Sequence, residues 1–209
     1  MIVHGDDGLD EISTTSKTRF TELLPNGQIE SGRISPTNFN IETTDFNTLK
    51  GGSPDHNAKI LQIGCDKGYL LESIKELYPK SIVYGIENSK YAINCSSNKI
   101  KKLIKFSNYS NLPFKKNFFD FVIAIGPVYS LNLTESIKCL KEIKRVGKGK
   151  SFITLGAYQN LKDLAYFMNW TLLGSTILKK HEWKKVLKHT KYTGDYKFNT
   201  ANSLNLVKK

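Results

Sequence analysis

A chain of 209 residues with 39% hydrophobic and 24% charged residues is long enough to bury one α/β core, and no apolar run approaches the ~20 residues of a membrane helix, so no membrane partner is expected. A net charge of +12 leaves two readings open: a nucleic acid met through phosphate contacts, or a lysine-rich solvated surface. Three cysteines, Cys65, Cys95 and Cys139, are too few and too odd for a disulfide framework; they read as reduced, small apolar side chains of a cytoplasmic protein, and no His or Cys cluster has metal-ligand spacing.

Residues 1–50 are polar and carry no sustained period of 3.6 or 2. Leu23-Leu-Pro-Asn-Gly27 is a turn signal with the makings of a small hairpin, and Ile29 to Phe46 reads as a lid element over a site edge or as disorder. Gly51-Gly-Ser-Pro54 reads as the linker into a domain spanning 51–209. From 59 onward strands and helices alternate. Strands are predicted at 59–63, 82–86, 103–107, 120–125 and 151–156, and helices at 68–78, 89–100 and 133–146. Asn132, with Glu135 three residues on, has the form of a cap for the last of these, and Gly147 supplies its stop. A further helix or lid covers 160–170. Trp183, Val186, Leu187 and Thr190 mark a short amphipathic helix, and Tyr192 to Asn199 reads as a sixth strand. Alternation of this kind implies an open, mostly parallel twisted sheet covered by helices on both faces.

The most informative stretch is Lys59-Ile-Leu-Gln-Ile-Gly-Cys-Asp-Lys-Gly68. It reads as a strand, a tight two-glycine loop and then a helix whose N-terminal N–H groups suit an anionic ligand group. The next apolar run ends at Glu87, an acid at a strand tip where a ribose diol would sit. The loop is neither the dinucleotide fingerprint nor a G-K-[ST] phosphate loop. It resembles the first motif of the class I, small-molecule "type 11"-like S-adenosylmethionine-dependent methyltransferases with a Rossmann-like core. Four more segments agree in order: Val83 to Ser89, Phe106-Ser-Asn-Tyr-Ser-Asn-Leu-Pro-Phe114, Phe118-Phe-Asp-Phe-Val-Ile-Ala124, and Leu140-Lys-Glu-Ile-Lys-Arg-Val146 followed by Ser151-Phe-Ile-Thr-Leu155. The resemblance covers roughly 58–156. It implies sheet order 3-2-1-4-5 plus C-terminal strand(s), with S-adenosyl-L-methionine as cofactor.

The same resemblance implies the site. Gly64, with Cys65, lets the backbone approach the cofactor's amino-acid moiety, and Gly68 closes loop onto helix. Glu87 accepts from the two ribose hydroxyls, and Asn88 and Ser89 follow, Ser89 as helix cap first. The Asn108 amide oxygen accepts from the adenine amino group, Tyr109 flanks the adenine, and Gly126 lets the methionine end and the acceptor come close. Two departures stand out. The family carries an acid where this chain has Gln62, and a small residue where it has Asp66. Asp66 either takes over the missing charge facing the cofactor's ammonium or repels the ligand and marks a dead site. Because the sulfonium methyl is already activated, positioning can supply most of the catalysis, and a base is needed only for a poor nucleophile. Tyr129 and Tyr158 follow strands on the correct edge and could bind an acceptor or simply pack. His181 opens the late helix, as a site residue or a surface one. His56 precedes the first strand of the core, on the wrong edge.

Three functions stay in view. The first is methyl transfer to oxygen or nitrogen of a small molecule; the tail Gly174 to Phe198, with His181-Glu-Trp183 and Tyr192-Thr-Gly-Asp-Tyr196, resembles methyltransferases of sugar and cell-surface polysaccharide pathways, and that resemblance implies a precursor of this kind as acceptor. The second is nucleic-acid methylation, with Gly126-Pro-Val-Tyr129 in place of "[DNS]-P-P-[YF]" but lacking the side chain that must hold the target amine. The third is a non-catalytic methyltransferase-like scaffold. The lysines of the 133–146 helix, with Arg145, are expected on its outer face.

Overall fold

The computed structural model describes residues 57–206, together with the backbone of one strand pair nearer the N-terminus. That pair, β1 (Arg19–Leu23) and β2 (Ile29–Arg33), is antiparallel with Leu23 opposite Ile29, so the Pro25-Asn26-Gly27 signal lies between two strands. The expected linker at 51–54, most of the expected lid, His4 and His56 lie outside the described residues.

The core runs β3 (Lys59–Ile63), α1 (Tyr69–Leu77), β4 (Ile82–Glu87), α2 (Lys90–Asn94), α3 (Asn98–Lys101), β5 (Ile104–Phe106), β6 (Phe121–Ala124), α4 (Pro127–Ser130), α5 (Leu133–Val146), β7 (Ser151–Tyr158), α6 (Leu161–Trp170), β8 (Leu178–Lys179), α7 (Lys180–Thr190) and β9 (Asp195–Asn199). The sheet order is β5-β4-β3-β6-β7, with β9 along Phe152–Gly156 of β7 and the two-residue β8 paired to its end at Ala157–Tyr158; every pairing is parallel. The parallel sheet is what the alternation implied, since each parallel step needs a helical crossover, and its order 3-2-1-4-5-6 agrees with the order 3-2-1-4-5 plus C-terminal strand that the resemblance implied.

Period-2 alternation sorts the strands between two cores. Leu61, Ile63, Ile86, Val122, Ala124, Ile153 and Leu155 share one with α5 and α7, whose Leu140, Ile143, Trp183 and Leu187 are buried. Ile60, Val83, Phe121, Ile123 and Phe152 share the other with Leu71 and Ile74 of α1 and Ile100 of α3. Gln62 belongs by register to this second face, between Gly85 and Ile123.

Local chemistry explains the boundaries. Asn132 caps α5 by accepting the Glu135 N–H at 3.0 Å, and the Gly147 N–H closes the far end on Ile143 O at 3.1 Å. Glu135 does not complete a reciprocal box; its carboxylate pairs with Lys138 at 2.9 Å. The single helix expected at 89–100 is two. The Ser96 hydroxyl donates to Ala92 O at 3.2 Å, and Ser97 takes extended backbone at the start of α3 with no side-chain cap bond, which interrupts the run. Residues 201–205 form turns, and β9 runs parallel to β7. Cys65 and Cys139 are buried as expected, whereas Cys95 is exposed.

Arg145 is not a surface cation. It pairs with Glu142 at 2.6 Å and donates to the carbonyls of Phe114 (2.7 Å) and Leu112 (2.9 Å), while Glu142 accepts the Leu112 N–H at 2.7 Å. The Leu-Pro-Phe segment is thereby clamped to α5, which gives the paired motifs "L-P-F" and "E-I-x-R" a structural reason to occur together.

Candidate cofactor and acceptor site

The candidate residues gather where a parallel sheet binds ligands, beyond the carboxyl ends of its strands. Leaving β3, the chain takes left-handed backbone at every second residue: Gly64 (φ 66), Asp66 (φ 48) and Gly68 (φ 81). Both glycines are also sterically required. A Cβ on Gly68 would lie 2.3 Å from Ile100 Cγ2, and one on Gly64 would lie 2.9 Å from Pro127 Cγ. Asp66 holds the middle position, where a side chain is less at ease.

The loop is tied down by its own backbone. The Gly64 and Cys65 N–H groups share Ile86 O (2.8 and 3.2 Å), and the Gly68 N–H reaches Cys65 O (2.8 Å). The Asp66 N–H donates to Glu87 Oε2 at 2.8 Å. Cys65 therefore contributes a buried side chain to the second core rather than a ligand contact; burial, with the Glu87 and Asp66 charges, pushes its thiol well above the ordinary range. The open donors begin one turn later: α1 starts at Tyr69 with no side-chain cap on its first N–H groups, as an anionic ligand group requires.

Glu87 lies at the strand tip, as expected, but is only 6% exposed. Its Oε1 accepts from the Asn88 N–H (2.8 Å), the Ser89 N–H (2.9 Å) and the Tyr109 hydroxyl (2.9 Å), and its Oε2 from Asp66. A carboxylate offers about four acceptor positions, so Oε2 has room for one hydroxyl, not the two of the sequence reading. Tyr109, expected to flank the adenine, is 5% exposed and packed in the first core; its hydroxyl donates to Glu87 Oε1 (2.9 Å), with Asn88 Oδ1 3.0 Å away, so it also supports the acid. Desolvation, then Glu87, raises its phenol beyond the ordinary range. Asn108 is exposed, and its Oδ1 accepts the Ser110 N–H at 3.0 Å with the Ser110 hydroxyl at 2.9 Å. The amide oxygen assigned to adenine is engaged in this turn, leaving the NH2 group outward. Ser89 caps α2, accepting the Ala92 N–H at 3.2 Å.

Gln62 is 5% exposed, and its Oε1 is enclosed without a hydrogen-bond partner. A buried acceptor left unpaired costs about 1–3 kcal/mol, and this one stands two residues before Gly64. An ammonium donor brought to the loop would satisfy it, so the residues present fit the amino-acid end of S-adenosylmethionine. Asp66, at the loop surface, has its carboxyl pushed above the usual range by desolvation, opposed by the Lys67 N–H and charge and assisted by Glu87.

On the acceptor side Gly126 (φ 95) caps α4, its N–H donating to Thr154 Oγ1 at 2.9 Å. Its missing side chain leaves open space, with the Tyr129 hydroxyl the nearest atom, 3.9 Å from where a Cβ would be. Tyr129 is buried; burial raises its phenol, and a hydrogen bond with the Asn199 side chain opposes the rise. Asn199 escaped the sequence reading, although a strand ending there puts it at the same edge, in register with Gly156. Tyr158 ends β7 half-buried, its backbone register partner Lys179; His181 is exposed in the first turn of α7. No described contact brings either of them to Gly126.

Comparison with known proteins agrees with this geometry. Residues 61–155 match the methyltransferase domain family. A chain of the complex between the Haloferax volcanii Trm112 methyltransferase activator and a methyltransferase superposes with TM-score 0.56 at 12% identity, over 70% of this chain and 65% of that one. A SAM-dependent methyltransferase from Methanosarcina mazei gives 0.51 at 21% identity, over 65% and 80%. Residues 1–71, in contrast, match the glycosyl transferase family, a/b domain. Anthranilate phosphoribosyltransferase of Alkaliphilus metalliredigens is 51% identical over 61 residues, 29% of this chain, which spans only 18% of that enzyme's length. The sequence reading took residues 1–50 as a polar segment, a lid or disordered, and did not anticipate this likeness. Sheet order, the loop after β3 and these likenesses show that the core of this chain has the class I, Rossmann-like methyltransferase fold, with residues 61–155 similar to the methyltransferase domain family.

Proposed function

We propose that this chain transfers a methyl group from S-adenosylmethionine to an oxygen or nitrogen of a small molecule, with 51–209 as the methyltransferase domain. The observation that carries the reading is the partnerless Gln62 Oε1 beside the glycine loop, a buried acceptor that an ammonium would satisfy. In this reading Gln62 and Asp66 hold the ammonium, and the uncapped start of α1 takes the carboxylate. Glu87 accepts one ribose hydroxyl through Oε2, and the Asn108 NH2 faces a ring nitrogen. The bound cofactor supplies an electrophilic methyl, so the protein's work is to place the acceptor in line and keep water out. Gly126 leaves the room for that approach. Tyr129, held by Asn199, orients the acceptor's polar atom.

A sugar or polysaccharide precursor is the acceptor class that the likeness of Gly174 to Phe198 supports. That likeness rests on sequence alone: Trp183 is fully buried, donating its indole N–H to Gly156 O at 2.7 Å, and Glu182 caps α7. The phosphoribosyltransferase-like segment is too small a share of those enzymes for us to assign their reaction to this chain.

The test is a melting curve with S-adenosylhomocysteine, then transfer of labelled methyl to a panel of hydroxyl and amino acceptors. Ligand at 100 times its dissociation constant adds about 2.7 kcal/mol of stability. No shift at millimolar ligand returns the scaffold reading; methylation of nucleic acid in preference to small molecules returns the amino-methylase reading.

A further inference from the structure

Four large apolar side chains stand in water along one short stretch. Leu161 is 79% exposed and Met168 49%, seven residues apart on one face of α6 with exposed Ala165 between them. Leu172 (60%) and Leu173 (75%) follow directly at the helix's C-terminal end. Scattered apolar residues on a surface need no explanation, but a contiguous ridge does. The inward side of α6 already has its packing, through Phe167 against Tyr129 and Trp170, with ring centroids 6.1 and 5.6 Å apart. The ridge is a second face, left over once the fold is made.

Its surroundings are strongly cationic. Between Leu161 and Lys191 there are seven lysines, two histidines and two acids. Asp163 is buried and accepts the N–H groups of Gln159 (2.8 Å) and Ala201 (3.0 Å), which leaves Glu182, itself accepting the Lys179 N–H (2.8 Å), as the one acid facing these cations. Along α7, His181, Lys184, Lys185, Lys188 and Lys191 follow helical spacing and are all exposed, while Trp183, Leu187 and Thr190 point inward. β8 sets the starts of α6 and α7 at one sheet edge, since Lys179, which precedes α7, pairs with Tyr158, three residues before α6.

We propose that α6, the Leu172–Leu173 turn and the outer stripe of α7 form a docking surface for an anionic lipid bilayer. The leucines and Met168 enter the boundary between headgroups and acyl chains, and the lysines face the headgroups. An apolar ridge with a cationic stripe is the composition of an interfacial helix, and lysines near such a surface add electrostatic attraction to anionic headgroups. A nucleic acid would use the lysines but has no place for four exposed apolar side chains, which is why the lipid surface is favoured. Binding of this kind is peripheral and needs no spanning helix, and among the described residues none is long and apolar enough to span.

The experiment is flotation of the full chain with phosphatidylcholine vesicles, with and without phosphatidylserine, in low and in physiological salt. No cofactor or acceptor is present, so the outcome is independent of the proposed methyl transfer. Wild type floats with the anionic vesicles only. A Leu172→Ser/Leu173→Ser variant loses about tenfold in binding, as expected when affinity scales with buried apolar area, with its melting temperature unchanged. Lys184→Glu/Lys185→Glu/Lys188→Glu abolishes binding. No flotation at low salt overturns the proposal. So does full binding of the leucine variant to the anionic vesicles, which would leave a simple polyanion surface. A leucine-dependent dimer without vesicle binding would assign the ridge to a second copy instead.

Discussion

Asp66 and Glu87, 21 residues apart in sequence, are joined by a 2.8 Å hydrogen bond from the Asp66 backbone N–H to Glu87 Oε2. The acid at the tip of β4 thus holds the loop leaving β3 in its left-handed conformation, so the residue proposed to meet the ribose is also the loop's latch. Removing it tests both roles. Glu87→Ala deprives the Asp66, Asn88 and Ser89 N–H groups and the Tyr109 hydroxyl of their acceptor. It should cost about 1–3 kcal/mol, read by denaturant unfolding. S-adenosylhomocysteine binding by calorimetry should vanish in the same variant. A variant that unfolds normally would show that the loop stands without its latch.

The charge of Asp66 can be separated from its backbone. Asp66→Gly removes the carboxylate and the left-handed strain while raising unfolded-chain entropy, so stability should move by less than about 1 kcal/mol. Cofactor affinity should nevertheless fall; affinity that is unchanged or higher excludes the replacement-charge role.

The raised Asp66 carboxyl sets a pH dependence. A carboxylate whose folded pKa lies above its unfolded value destabilises the native state where both forms are ionised, and that penalty fades as pH falls through the folded pKa. Asp66→Asn should therefore gain stability over wild type at neutral pH and lose that gain in acid. Cofactor affinity of the wild type should drop over the same interval, at a pH above that of an ordinary aspartate, and calorimetry across pH checks both.

Gln62 makes opposite predictions for free and bound protein. Gln62→Met removes the partnerless oxygen and should stabilise the free protein by about 1 kcal/mol or more while reducing the melting shift given by ligand. Gln62→Glu buries a charge with no partner, so the free protein should melt lower, yet its ligand-induced shift should exceed that of wild type. Equal shifts in all three proteins would place the ammonium elsewhere.

The glycines should rank by what surrounds them. Gly68→Ala drives a Cβ into Ile100 at 2.3 Å and should abolish folding, or displace α3 with a loss of several kcal/mol. Gly126→Ala meets nothing closer than 3.9 Å and should cost about 1–2 kcal/mol from its positive φ alone. If Gly126 faces the acceptor, that variant's methyl-transfer rate should fall further than its stability explains.

Periodicity and punctuation carried the architecture. The runs at Lys59–Ile63 and Ile82–Glu87, the Asn132 cap and the Trp183–Leu187–Thr190 stripe are local features, and local propensity agreed with the final fold. Residue type also put Gln62, Gly64, Asp66 and Glu87 at one sheet edge, because a parallel sheet brings the ends of its strands together. The break at Ser96 and Ser97 was not legible, since a serine's choice between solvent and backbone depends on its surroundings.

Which polar atoms remain free was decided in three dimensions. Tyr109 and Asn108 are neighbours in a motif, yet one is buried under Glu87 and the other is turned onto Ser110. Arg145 lies among lysines in sequence but is held by Leu112 and Phe114, over 30 residues away. Asn199 reaches Tyr129 only because β9 lies beside β7. Hydrophobic pattern is written along the chain because burial is a property of faces. Hydrogen bonding is pairwise, and most of these partners are brought together only when the sheet assembles.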